Sequence, residues 1–142
     1  MNIDPIKNGI VIDHIKAGLG MELYHFLALD KLTCSVAIIK NVSSAKMGKK
    51  DIIKIDESID LNLDVLGYIA PDITVNIIKN GERVQKCHPR LPERVEGVIK
   101  CKNPRCITVS EPDLPQIFKL CDREKHIYRC IYCEAGAPKK NE

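Results

Sequence analysis

The chain has 142 residues and a mass of 16.0 kDa, which suits one ordinary domain or two small ones and excludes an eight-fold βα barrel or a complete dinucleotide-binding enzyme. Apolar residues make up 44% and charged residues 29%, the balance of a soluble globular protein and not of a disordered or fibrous one. Aromatics are only 4%, with no Trp, and the net charge is only +3, so a base-stacking nucleic-acid surface and a membrane belt both lose ground.

Residues 1–5 (MNIDP) lack the basic start and apolar run of a secretion signal, and no apolar stretch approaches the roughly 18 residues of a spanning helix, so a cytoplasmic location is expected. Residues 10–15 (IVIDHI) are β-branched and read as a strand, ending before the turn around Gly18 and Gly20. Residues 21–31 place Leu23, Phe26 and Leu27 at helical spacing and predict an amphipathic helix. Residues 34–42 (CSVAIIKNV) read as a second strand, residues 43–50 as a lysine-bearing loop without periodicity, and residues 51–56 (DIIKID) as a third strand. Asp60 is placed as the N-cap of a helix running to Ala70 and stopped by Pro71. Asn80-Gly81 is the strongest short hairpin signal in the chain and joins strands at 73–79 and 82–87. The order β-α-β-β-α-β-β is the ferredoxin-like split βαβ pattern with one strand added.

Pro89 and Pro92 flank a short basic linker, so an amino-terminal domain over 1–96 and a second over 97–142 are expected. Residues 1–96 hold 13 Lys/Arg and 13 Asp/Glu, whereas residues 97–142 hold 9 and 6, which puts the whole positive excess in the second domain. That domain is too short to build an adequate apolar core without a staple.

Its cysteines can provide one. Seven Cys in a chain expected to stay reduced point to metal. Cys101 and Cys106 are separated by four residues, Cys130 and Cys133 by two, and the pairs by 23. Each short loop lets two sulfurs reach one ion, and a hairpin between the pairs brings them together, which fits one structural zinc held by four thiolates in a closed zinc ribbon. Such an ion keeps no open position for catalysis. A thioredoxin-like Cys130/Cys133 pair would need a helix after a strand, a context missing here. Cys34, Cys87 and Cys121 read as small buried apolar groups. A nucleic-acid-binding ribbon is the alternative, drawing on Lys100, Lys102 and Arg105.

The amino-terminal domain has no nucleophile motif, P-loop or dinucleotide fingerprint. Asp13 and His14 interrupt an apolar strand, while Lys50 and Lys54 lie around the third strand and Lys86 on the last. Cations beside a carboxylate suit an anion that carries a sugar, although lysines on strands are usually solvated.

Taken together, residues 9–15 (GIVIDHI), 47–55 (MGKKDIIKI), 68–71 (YIAP), 74–76 (TVN) and 91–94 (LPER), with the two cysteine pairs, resemble the family of aspartate carbamoyltransferase regulatory chains over nearly the whole sequence. The resemblance implies an α+β chain with an allosteric nucleotide domain followed by a β-rich zinc domain that docks on the catalytic chain, catalysis being left to that partner. It further implies that Asp13, His14, Lys50, Lys54 and Lys86 hold the nucleotide and that Val11, Ile6, Asn76 and Ile78 line its site, with base identity read near Ile6 and the hairpin turn. CTP, UTP and ATP are the effectors it implies, and regulatory-chain homodimers bridging catalytic trimers the assembly. Neither a membrane nor a nucleic acid is expected as a partner. Two positions depart from the pattern: Gly81, where an aromatic is common, removes a side-chain wall, and Arg83, where a small apolar residue is common, adds a possible phosphate contact.

Overall fold

The computed structural model describes residues 5–138, so the expectation for residues 1–4 of the amino-terminal stretch lies outside the described residues. It divides into two compact units, residues 1–90 and 91–142. The division falls earlier than the sequence-based boundary at 96, because Arg94–Glu96 is a strand of the second unit's sheet.

In the first unit the strands are β1 (Gly9–Lys16), β2 (Val36–Ser44), β3 (Gly48–Ile55), β4 (Thr74–Lys79) and β5 (Glu82–Cys87), with α1 (Gly20–Phe26) and α2 (Leu63–Ile69) as crossovers. They form one antiparallel sheet in the order β2-β3-β1-β4-β5. Each helix therefore carries the chain past a neighbouring strand, which is the split βαβ arrangement with β5 added at an edge. Ile10, Ile12, Ile15, Ile53, Ile55, Ile73 and Val75 turn inward from the sheet and meet Leu23, Leu66 and Ile69 from the helices. One sheet face is thus the core, and alternation leaves Val11, Asp13, Lys54, Asn76 and Lys86 for the other.

Three local expectations are corrected. The first helix stops at Phe26; Ala28 takes a left-handed conformation (φ 53) and a single 3₁₀ turn covers Leu29–Lys31. At about 100° per residue, Leu29 on a continued helix would lie about 120° round from Leu23, whereas the break lets both be fully buried. The expected loop at 43–50 is mostly strand: Val42, Ser43 and Ser44 pair with Lys50, Lys49 and Gly48 around a tight turn. Its side chains are largely exposed, so no apolar alternation marked it. Asn62, not Asp60, caps α2, its Oδ1 accepting from the N–H groups of Asp64 (3.1 Å) and Val65 (3.2 Å). A side chain on Gly67 would run into the backbone carbonyl of Arg90, so close packing fixes glycine there.

The second unit is a three-stranded antiparallel sheet in the order β6 (Arg94–Glu96), β7 (Ile117–Asp122), β8 (Ile127–Cys130), with a one-turn α3 (Ile107–Ser110). Val95, Ile99, Phe118 and Tyr128 are buried, and the Tyr128 hydroxyl donates to the carbonyl of Pro92 at 2.6 Å. Among the described residues, no helix is long and apolar enough to cross a membrane.

Candidate metal centre and effector face

The four cysteines singled out by spacing converge. Cys101 and Cys106 bracket the loop before α3, Cys130 ends β8, and Cys133 lies in the turn that follows, with no helix opening there. All four Sγ atoms lie within 4.8 Å of one another, with Cys101–Cys133 at 3.6 Å and Cys106–Cys130 at 3.8 Å. A disulfide needs about 2.05 Å; a tetrahedron with zinc–sulfur bonds of about 2.3 Å has edges of about 3.8 Å. The donor set therefore fits one zinc ion, and each short contact joins one sulfur from each pair, so the ion staples the two loops together.

The surrounding groups orient the sulfurs. The Thr108 hydroxyl donates to Cys106 Sγ at 3.1 Å, and the Cys101 amide donates to Gln116 Oε1 at 3.0 Å. Among the protein groups alone, burial pushes the Cys101 thiol up to about 12, while the Ala135 N–H and then the Asn103 side chain hold Cys133 down to about 6. Cys106 is lowered by the Thr108 hydroxyl and amide, and Cys130 is raised by burial. Zinc takes thiolates, so binding expels whatever protons these groups hold. Protons therefore compete with the ion for the sulfurs, and zinc affinity is expected to fall steadily as the solution is acidified. Zinc titrations of the full chain across a pH series measure it; an affinity indifferent to pH would contradict this.

Cys34 and Cys87 are half-buried against the first unit's core, and Cys121 is exposed, so the expectation of buried apolar groups fails for Cys121. His25 and His126 are exposed.

On the first unit, pairing places Lys54 opposite Val11, Val11 opposite Asn76, and Asn76 opposite Lys86. These four residues form one cross-strand row on the face away from the core. One step along β1, Lys50 Nζ meets Asp13 Oδ1 at 2.9 Å. Burial works against the Asp13 carboxylate, but the Lys50 ammonium and the His14 amide outweigh it and keep it below its usual range. His14 occupies a bulge between Ile12 and Ile15, with φ 58, and its Nδ1 lies 3.1 Å from Thr74 Oγ1. At the other end of the face, Ile78 pairs with Gly9, and the hairpin turn is tied to the chain entering β1: Gly81 N donates to Lys7 O (2.9 Å) and Asn80 N to Asn8 Oδ1 (3.2 Å). Half-buried Ile6 precedes that latch. In the centre of the row, Asn76 Nδ2 donates to Val11 O at 3.4 Å while its buried Oδ1 has no partner, an acceptor that a bound donor would satisfy.

Sequence reasoning missed Asp51. It is fully buried, and its carboxylate accepts from the amides of Gly18 (3.1 Å), Gly20 (3.0 Å) and Asn41 (3.0 Å). An acid at the start of an apolar strand was the available signal.

A sheet lobe with a polar, cationic outer face, followed by a module built around four clustered cysteines, defines a two-unit chain whose second unit is stapled by metal. Comparison with known proteins places it in a family. Residues 1–90 match the aspartate carbamoyltransferase regulatory chain, allosteric domain, and residues 93–141 match the metal binding domain of the same chain. The chain belongs to the family of aspartate carbamoyltransferase regulatory chains. It is 51% identical over 135 residues to the aspartate carbamoyltransferase regulatory chain of Clostridium tetani, covering 94% of each chain. The regulatory chain of Bifidobacterium longum is 44% identical over 137 residues, covering 96% of this chain and 99% of that one. That of Clostridium acetobutylicum is 50% identical over 134 residues, covering 94% and 92%. The chain is thus a non-catalytic subunit with an allosteric domain and a metal-binding domain, serving pyrimidine biosynthesis, and catalysis lies in the enzyme's other chain. The family match favours this reading over the nucleic-acid-binding ribbon.

Proposed function

We propose that the outer face of the first unit binds a nucleoside triphosphate, CTP, UTP or ATP, and passes its occupancy to the catalytic chain through the zinc unit. The observation that carries the reading is the cross-strand row Lys54–Val11–Asn76–Lys86, with the Asp13–Lys50 pair beside it. Lys50, Lys54 and Lys86 supply charge for phosphates and His14 a ring nitrogen to hydrogen-bond them, ionised Asp13 accepts from ribose hydroxyls, and Ile6, Val11, Asn76 and Ile78 line the ligand.

Regulation follows from linkage. A nucleotide that binds one quaternary state of the assembly better than another shifts their ratio, and the shift cannot exceed that difference in affinity. Cys101, Cys106, Cys130 and Cys133 hold the zinc that shapes the docking unit. The regulatory chains pair as homodimers and join catalytic trimers.

Titrating the full chain with CTP, UTP and ATP by calorimetry tests the site. Lys86→Ala is expected to weaken binding by about ten- to a hundred-fold, the loss of one charge-assisted hydrogen bond of about 1.5–3 kcal/mol. An affinity equal to wild type would place the site elsewhere.

A further inference from the structure

The pairing of β4 with β5 contains a register shift between Ile77 and Ile78: Asn76 faces Lys86 and Ile77 faces Gln85, but Ile78 faces Arg83, leaving Val84 as the extra residue. In a regular strand Arg83 would share a face with Gln85 and Cys87, and Cys87 packs against the core side. The bulge reverses that parity. Arg83 is thereby turned onto the same face as Lys86, directly across from Ile78. It is exposed and has no hydrogen-bond or ion-pair partner among the described residues.

Its row is the apolar end of the face, with Ile78, Gly9 and the chain leading from Ile6, whereas Asp13, His14 and Lys50 crowd the opposite end. Apolar walls suit a base ring, and the charged end suits ribose and phosphates. Gly81, two positions before Arg83, leaves open space in the turn, with nothing within 4 Å of where a Cβ would stand. A guanidinium there has only donors to offer. Base carbonyls and ring nitrogens accept from it; adenine gives the fork a single ring nitrogen beside an exocyclic amine that is itself a donor, whereas guanine offers two adjacent acceptors in the fork's own geometry.

We propose that Arg83, turned by the bulge onto the effector face, is a specificity-determining residue that favours carbonyl-bearing bases over adenine. The inference rests on the effector reading above. The test is calorimetric titration of the full chain and of Arg83→Val, Arg83→Lys and Lys86→Ala with GTP, CTP, UTP and ATP; valine suits an edge strand, so the fold is retained. Wild type is expected to bind GTP, and to a smaller extent CTP and UTP, about tenfold more tightly than ATP, and Arg83→Val to erase that preference while leaving ATP affinity within about twofold. Arg83→Lys keeps the charge but not the fork, so it should restore only part of the preference. If Arg83→Val weakens all four nucleotides equally, Arg83 meets phosphate, and if it changes none, the guanidinium is merely solvated; either result overturns the proposal while the effector site stands. If wild type binds no nucleotide, or Lys86→Ala changes nothing, the effector reading falls and this proposal with it.

Discussion

Replacing Cys106 with Ala, or stripping zinc from the full chain with a strong chelator, is expected to unfold residues 91–142 and leave residues 1–90 folded. The second unit buries few large apolar side chains, chiefly Val95, Ile99, Phe118 and Tyr128, and a unit of that size rarely folds on its core alone. Zinc binding to four-ligand folding peptides contributes about 10–16 kcal/mol near neutral pH, more than such a core can supply. Cys106 is buried, 3.8 Å from Cys130 Sγ, and accepts from the Thr108 hydroxyl, so its loss removes both a ligand and the hydrogen bond that orients it. The first unit has its own core, drawn from residues 10–75 with Cys87 packed against it. Metal analysis, limited proteolysis and a sizing column with the catalytic chain read the outcome: cleavage confined to the second unit, and loss of the complex. A zinc-free chain that resists protease throughout and still assembles would show the ion to be dispensable.

Asp51→Ala is the substitution expected to damage the first unit most. The carboxylate holds three amides from two separate segments, Gly18 and Gly20 where the chain turns into α1 and Asn41 in the β2 bulge, where φ is 59. Each amide left without a partner costs about 1–3 kcal/mol, so a total loss of roughly 3–9 kcal/mol is expected for the three, against the roughly 5–15 kcal/mol of a typical domain. Urea unfolding of the full chain, read on the first unit, measures it. Asp51→Asn retains acceptor oxygen and should lose about half as much. A midpoint unchanged in Asp51→Ala would mean that water or a neighbouring group replaces the carboxylate. Because Asp51 pairs with Ile15 just beyond the bulge that carries Asp13 and His14, nucleotide affinity is expected to fall with stability.

What could be read in the sequence was whatever had a local cause. Asn80-Gly81 gives a two-residue turn because both residues accept positive φ, and they do, at 53 and 79. The cysteine spacing carries its own geometry, and the β-branched runs carry theirs. Hidden were the features set by pairing across the sheet. Neither the bulge at His14 nor the one at Val84 has a residue signature, yet each decides which side of the sheet the following side chains occupy. Asp51 opens the strand read at 51–56, and its partners, at the turn into α1 and in the β2 bulge, lie 10 to 33 residues away in sequence. Ala28 shows the same limit, since its left-handed backbone is imposed by the burial of Leu29.

The separate foundations of the two units have a bearing on how the chain can drift over generations. Stability in residues 1–90 is shared among a dozen interlocking aliphatic positions, so many single exchanges each exact a moderate toll. In residues 91–142 it is concentrated in four sulfurs, and the remaining surface is correspondingly at liberty to be reshaped around whatever it docks against.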